Sequence, residues 1–332
     1  MWNKRIVFSM AFTAVILAGL LFFYQRTDMG RKEEKGDYQI YQRHYAMITG
    51  KEDSDFWDKV YQSAMEEGKT RGAYVERFGE HLAVEYSCNE LIELAVKASV
   101  DGIIVPGDED QETIRVINTA VKCGIPVVTV FRDSTGSLRQ CFVGNNSYDL
   151  GQDYGRQIIQ LMEKNEHTSG NVLVLVNENR MDTRQNLILL GIRETLEREF
   201  GEGHAVSVET VPINHTRSFS SEESIRDIFL NSEKLPNILV CLNAVHTQCA
   251  YQAAVDYNQV GSVQILGYYD SDTILNAVAK HIIYSTVALD TEQMGVLCVQ
   301  SLDEYIETGY TNGYMAVDTR WITGEDAERL AE

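Results

Sequence analysis

The sequence has no C-x-x-C pair, no H-E-x-x-H or other paired-histidine spacing, and no G-x-S-x-G turn. These absences remove structural zinc, zinc-dependent hydrolysis and the hydrolase nucleophile elbow as readings. A basic surplus is also missing: 29 Lys and Arg stand against 49 Asp and Glu, giving a formal net charge of −20. No basic stripe is available to meet phosphates, so the chain is not expected to bind nucleic acid or anionic lipid surfaces. Gly68-Lys69-Thr70 has the look of a phosphate-loop ending, but Ser63 stands where the first glycine is required. The tripeptide also closes a helical pattern, whereas a P-loop opens one. Glu33-Glu34 and Glu222-Glu223 read as solvated faces. No cofactor, metal or enzymatic activity is therefore expected. Cysteine is absent before Cys88, which excludes a cysteine-linked lipid anchor near the N-terminus. Most of the six cysteines (88, 123, 141, 241, 249, 298) lie in apolar runs and read as small buried hydrophobes.

One long apolar run is present. Residues Ile6 to Tyr24 carry no charge and are flanked by Lys4, Arg5 and Arg26. About 19 residues at ~1.5 Å rise approach the ~30 Å hydrocarbon thickness of a bilayer. The run ends Leu20-Leu21-Phe22-Phe23-Tyr24, bulky where a signal peptidase requires small side chains, which favours an uncleaved anchor at 1–24 over a cleaved signal. Lys4 and Arg5 place the N-terminus inside, although Arg26, Arg31, Lys32 and Lys35 on the far side oppose that bias. The expectation is a single-pass protein of the cell membrane, with a polar linker at 25–37 and the remainder extracytoplasmic.

From Tyr38 onward, short β-branched apolar runs alternate with amphipathic stretches. Ten strands are predicted: Tyr45–Thr49, Tyr74–Phe78, Gly102–Pro106, Val127–Phe131, Cys141–Gly144, Val172–Asn177, Val206–Pro212, Ile238–Leu242, Gln264–Tyr268 and Tyr284–Leu289. Continuous apolar runs of this length read as strands buried on both faces of a parallel sheet. Phe56, Val60 and Ala64, and likewise Ile114, Ile117 and Val121, recur at helical spacing between them. Gly72 and Cys123-Gly124 supply helix stops. The fold class is α/β with doubly wound sheets. The strands form two runs of about five on either side of Asn145-Asn146, which implies two similar lobes, although no sequence repeat is evident.

Four passages carry a resemblance to the type I periplasmic sugar-binding family, the ribose- and galactose-binding proteins among them. Gly102-Ile-Ile-Val-Pro-Gly107, with Cys123-Gly-Ile-Pro-Val-Val-Thr-Val-Phe-Arg132, resembles the third and fourth strands of that family. Val143-Gly-Asn-Asn-Ser-Tyr-Asp-Leu-Gly151 resembles its first interlobe crossing, and Gln264-Ile-Leu-Gly-Tyr-Tyr-Asp270 the strand that enters the cleft late in the chain. Ser285-Thr-Val-Ala-Leu-Asp-Thr-Glu-Gln-Met-Gly295, with the tail Trp321-Ile-Thr-Gly-Glu325, resembles the last interlobe segment. The resemblance implies two lobes joined by a three-strand hinge that close over a ligand. Lobe 1 would comprise 38–144 plus 290–312, and lobe 2 would comprise 145–289 plus 313–325. The implied role is an extracytoplasmic binding protein for a sugar or modified sugar, serving either the permease of an ABC transporter or a sensor histidine kinase. A repressor on this scaffold would need an N-terminal helix-turn-helix, whose place is taken by the apolar run and linker.

The same resemblance names ligand residues. Phe56 and Trp57 head the first helix, where the family stacks aromatics on a sugar ring; both also read as core. Arg132 matches a family arginine that reaches hydroxyls with its fork of donors. Asn243 matches a hydroxyl-binding asparagine and equally reads as a helix cap. Asp270, or its neighbour Asp272, would accept hydroxyl bonds, the other serving as an N-cap. Departures matter as much. Phe131 stands where the family often has aspartate. By spacing from Gly191-Ile192 the next family arginine falls at Asn186, with Arg184 two residues earlier and Arg180 earlier still. Leu289 replaces a glutamine found in some sugar binders, with Asp290 beside it. Loss of polar positions allows a modified sugar or another small, partly apolar molecule as the ligand.

Overall fold

The computed structural model describes residues 40–50, 54–164, 170–178, 183–201, 206–213, 218–230 and 235–331. The chain divides into two units, Met1–Tyr41 and Gln42–Glu332. The expected anchor and linker lie outside the described residues, and among the described residues no helix is long and apolar enough to cross a membrane.

The second unit opens with β1 (Arg43–Met47), α1 (Ser54–Thr70), β2 (Ala73–Arg77), α2 (Cys88–Ala98), β3 (Gly102–Val105), α3 (Gln111–Lys122), β4 (Val127–Val130) and β5 (Cys141–Gly144). The alternation resumes with α4 (Ser147–Lys164), β6 (Gly170–Asn177), α5 (Thr183–Phe200), β7 (Val206–Ile213) and α6 (Ser218–Leu230). It continues through β8 (Ile238–Cys241), α7 (Ala244–Asp256), β9 (Gln264–Tyr268), α8 (Asp272–Ala279) and β10 (Ser285–Leu289). The last elements are α9 (Thr291–Thr308), β11 (Tyr314–Ala316), β12 (Thr319–Thr323) and α10 (Gly324–Ala331).

Two sheets result, ordered β11-β5-β4-β3-β1-β2 and β12-β10-β9-β8-β6-β7. The orders map onto each other strand for strand, so the two lobes share one topology without sharing a sequence repeat. All ten predicted strands are present, with ends displaced by up to two residues. β3, β4 and β8 are buried along their whole length, as expected when helices cover both faces of a parallel sheet. β12 departs from that pattern by running antiparallel to β10, with Val287 opposite Trp321.

Three passages join the sheets: Asn145-Asn146 between β5 and α4, Asp290 between β10 and α9, and Val317-Asp318 between β11 and β12. Backbone bonds tie them together, Val317 N–H donating to Gly144 C=O and Asp290 N–H to Asp318 C=O, both at 3.0 Å. α9 returns to the first sheet, packing Met294, Cys298 and Leu302 beside the Phe56–Val60–Ala64 stripe of α1. Tyr314–Ala316 pairs in parallel with β5, so the third passage falls after Ala316 and not at the 312/313 division expected from sequence. That strand is short and its ends are exposed, so it has no buried apolar run to betray it.

All six cysteines are free thiols. Cys141, Cys241 and Cys298 are buried, and burial pushes each thiol above its ordinary range. Cys123 is exposed just after α3.

Candidate functional site

The carboxyl ends of both sheets face a cavity of about 300 Å³. That is at the lower end of the range of about 300–1,000 Å³ for small-molecule pockets. The first lobe contributes Gly107 after β3 and Phe131-Arg132 after β4; the second contributes Asn177 at the end of β6 and Arg184 in the first turn of α5. Asn145 and Asn146, at the first passage between sheets, complete it. Location at strand carboxyl ends follows the general rule for open α/β sheets.

Local sequence fixes these groups. α4 and α5 approach so closely that a Cβ on Gly151 would meet the Ile188 backbone, and one on Gly191 would meet the carbonyl of Tyr148. This contact sets the start of α5, and with it Arg184, against the passage that carries Asn145. The Arg184 guanidinium lies between two rings, its Cζ 5.1 Å from the Phe131 centroid and 5.3 Å from that of Tyr268. Each cation–π contact contributes roughly 0.5–2 kcal/mol. One Nη donates to the Tyr268 hydroxyl at 3.1 Å.

Behind Phe131 stands an aromatic wall. The Phe56 ring lies 4.8 Å from Phe131, 5.1 Å from Trp57 and 5.9 Å from Tyr269, measured between centroids. Phe56 thus touches rings of both lobes at distances typical of favourable aromatic pairs. Lys59 of α1 lies 3.6 Å from Asp270 and over the Tyr269 ring, a second contact between lobes. Phe131 and Tyr269 follow the equivalent strands β4 and β9, and both hold positive φ, 67° and 81°. A bulky side chain in that region is strained by about 1–3 kcal/mol and persists only where the surroundings hold it.

Three residues of the lining carry a buried polar atom without a hydrogen-bond partner: Asn145 Nδ2, Asn177 Oδ1 and Arg184 Nε. Such groups cost about 1–3 kcal/mol each when unsatisfied, a cost removed when a bound molecule supplies the partner. The carboxylates nearby are engaged. Asp133 is held by Arg139 at 2.5 and 2.6 Å, and Glu109 accepts from the N–H and hydroxyl of Thr135.

Of the residues named from sequence, Arg132 and Arg184 line the cavity. Phe56 and Trp57 are 3 % exposed and form the wall, not the lining. Asn186 is exposed and outside the cavity, because two residues along a helix turn a side chain about 200° away from Arg184. Asn243 caps α7, its side chain accepting the His246 N–H at 2.7 Å. Asp270 is drawn to Lys59, and Ser271, not either aspartate, is the N-cap residue of α8; Asp272 is exposed in its first turn. Asp290 caps α9, accepting the Gln293 N–H. Sequence reasoning missed Asn145 and Asn177 as site residues and treated Phe131 only as a departure. The available signal was position, since each directly ends a strand at the cleft side.

Two like lobes, three passages and a cavity with unpartnered polar atoms define a receptor that holds a small solute between its lobes. The profile of the periplasmic binding protein domain matches residues 45–310, and the chain belongs to that family. Its role is solute binding. Among solved structures, the XylFII–LytSN complex is 26% identical with a TM-score of 0.72, covering 86% of this chain and 98% of that one. GanP, a glucose-galactose binding protein from Geobacillus stearothermophilus, is 22% identical with a TM-score of 0.74, covering 86% and 98%. A solute-binding protein from Burkholderia graminis C4D1M in complex with D-arabinose is 17% identical with a TM-score of 0.73, covering 86% and 97%. No curated protein matches the sequence.

Proposed function

We propose that the chain is an extracytoplasmic receptor, held at the membrane by residues 6–24, that closes over a sugar or sugar-like solute and offers its closed form to a protein partner. The observation that carries the ligand reading is the cavity itself, lined by Phe131 and Arg132 of the first lobe, Asn145 of the passage, and Asn177 and Arg184 of the second, with unpartnered polar atoms on the last three. Planar polar groups with an aromatic face suit a ring that bears polar substituents. The closed form has interlobe contacts ready, Phe56 with Tyr269 and Lys59 with Asp270. A protein partner is favoured by the XylFII–LytSN complex, in which the related chain is found with a second protein. The permease of an ABC transporter is the other partner on offer, and a partner at the membrane suits a tethered receptor in either case.

The test is a thermal-shift screen of the full chain against monosaccharides, oligosaccharides, sugar acids, sugar phosphates, nucleosides and polyols. A ligand that binds only the folded form stabilises by about 2.7 kcal/mol at a hundredfold excess over Kd. The expected result is a shift with one sugar class that vanishes in Arg184→Ala. No shift with any member, and no small molecule released from the purified protein on denaturation, would overturn the reading.

A further inference from the structure

Two arginines on the lining of the cavity lack a carboxylate partner among the described residues. Among the described residues, Arg132 has no side-chain hydrogen bond or ion pair, and Arg184 meets only rings and a phenol. Of the three carboxylates on the lining, Asp133 is neutralised by Arg139 and Glu109 is bonded to Thr135. Asp108 is exposed at the rim and accepts the Asp110 N–H at 3.2 Å. None of them pairs with Arg132 or Arg184.

A further donor belongs to the same lining. Asn145 is 5 % exposed, and its buried Nδ2 has no acceptor. α5 starts at the cavity and lines it with Thr183 and Arg184. Among the described residues, one buried side-chain acceptor of the lining lacks a partner, Asn177 Oδ1.

A neutral sugar brings no counter-charge to either arginine. Every hydroxyl brings a donor with its lone pairs and needs an acceptor from the protein. A carboxylate or phosphate brings acceptors alone and pairs with a guanidinium fork in two parallel bonds. We propose that the cavity takes an anionic ligand of sugar size, whose carboxylate or phosphate lies between Arg132 and Arg184 while its ring meets Phe131. This rests on the solute-binding reading and narrows its ligand class.

The experiment is calorimetric titration of the full chain with D-galacturonate, D-glucuronate and D-glucose 6-phosphate, alongside the neutral parents D-galactose and D-glucose. An acid is expected to bind at least tenfold more tightly than its neutral parent, and to weaken as ionic strength rises. The uronates and the phosphate ester separate the two sources of negative charge. Arg132→Gln removes the charge and leaves a planar donor; it is expected to cost the acid about tenfold or more, with little change in the melting temperature of the free protein. Binding of a neutral hexose as tight as that of its acid would overturn the anionic assignment and leave solute binding standing. Failure of every compound, neutral or acidic, would overturn the assignment and count against the solute-binding reading as well.

Discussion

The guanidinium of Arg184, from the second lobe, lies 5.1 Å from the ring of Phe131, which ends a strand of the first. The pair crosses the cleft, and the arginine retains a buried Nε without a partner. Arg184→Ala is therefore expected to weaken ligand binding by more than tenfold, as loss of a charged hydrogen bond of about 1.5–3 kcal/mol implies. Asn186→Ala, two positions away and exposed, is expected to leave affinity unchanged. Titration of both variants with the ligand found by thermal shift checks the contrast. Equal losses in the two would place the site elsewhere on α5.

The contrast also shows what the sequence carries. Strand positions were legible because Gly102–Val105, Val127–Val130 and Ile238–Cys241 are short, continuous and buried on both faces. The two lobes were legible from the break at Asn145-Asn146. Side-chain choice within a helix turn was not, since spacing from Gly191 selects a turn, and the α4–α5 contact then decides which residue of that turn faces the cleft. Asn243 and Asp290 show a second reason. Polar residues at the ends of cleft-facing strands are also where helices start, and here each side chain accepts a backbone N–H of its own helix. Phe131 and Tyr269 show a third, because positive φ in an aromatic residue has no sequence signature.

The loop that carries Gly107, Asp108 and Glu109 to the cavity ends at the N-cap of α3. There Asp110 accepts the N–H groups of Glu112 and Thr113, each at 2.9 Å. Partial burial raises its carboxyl, but bonds from Thr113 and Glu112 outweigh that and hold it below the usual carboxylate range. A group with a lowered folded pKa adds stability above its unfolded value near 4, and loses it as pH falls through the folded value. Asp110→Asn keeps a capping oxygen and removes the charge. Wild type should exceed it by about 0.5 kcal/mol at pH 7, the solvated site screening the charge–dipole contribution. Denaturant titrations at pH 7, 5, 4 and 3 should show the gap constant down to about pH 5 and closing below. A gap independent of pH would mean that the ionised carboxylate contributes nothing to the cap.

Phe131 is the residue at which fold and site compete. Its ring packs on Phe56 at 4.8 Å and carries Arg184, while its backbone sits at a φ of 67°. Replacement by Ala removes the ring and keeps the strained backbone; replacement by Gly removes the ring and releases the strain. At an ordinary strand position Gly is worse than Ala by about 0.5–1 kcal/mol. Here the order should reverse, with Phe131→Gly more stable than Phe131→Ala by about 1 kcal/mol. For a chain of this size that corresponds to a melting temperature about 2 °C higher. Both variants should bind ligand equally weakly, because both lose the ring that faces the cavity and steadies Arg184. Differential scanning calorimetry of the two variants decides it. Ala melting at or above Gly would mean that the positive φ stores no energy, and that the ring alone explains why an aromatic residue stands at this turn.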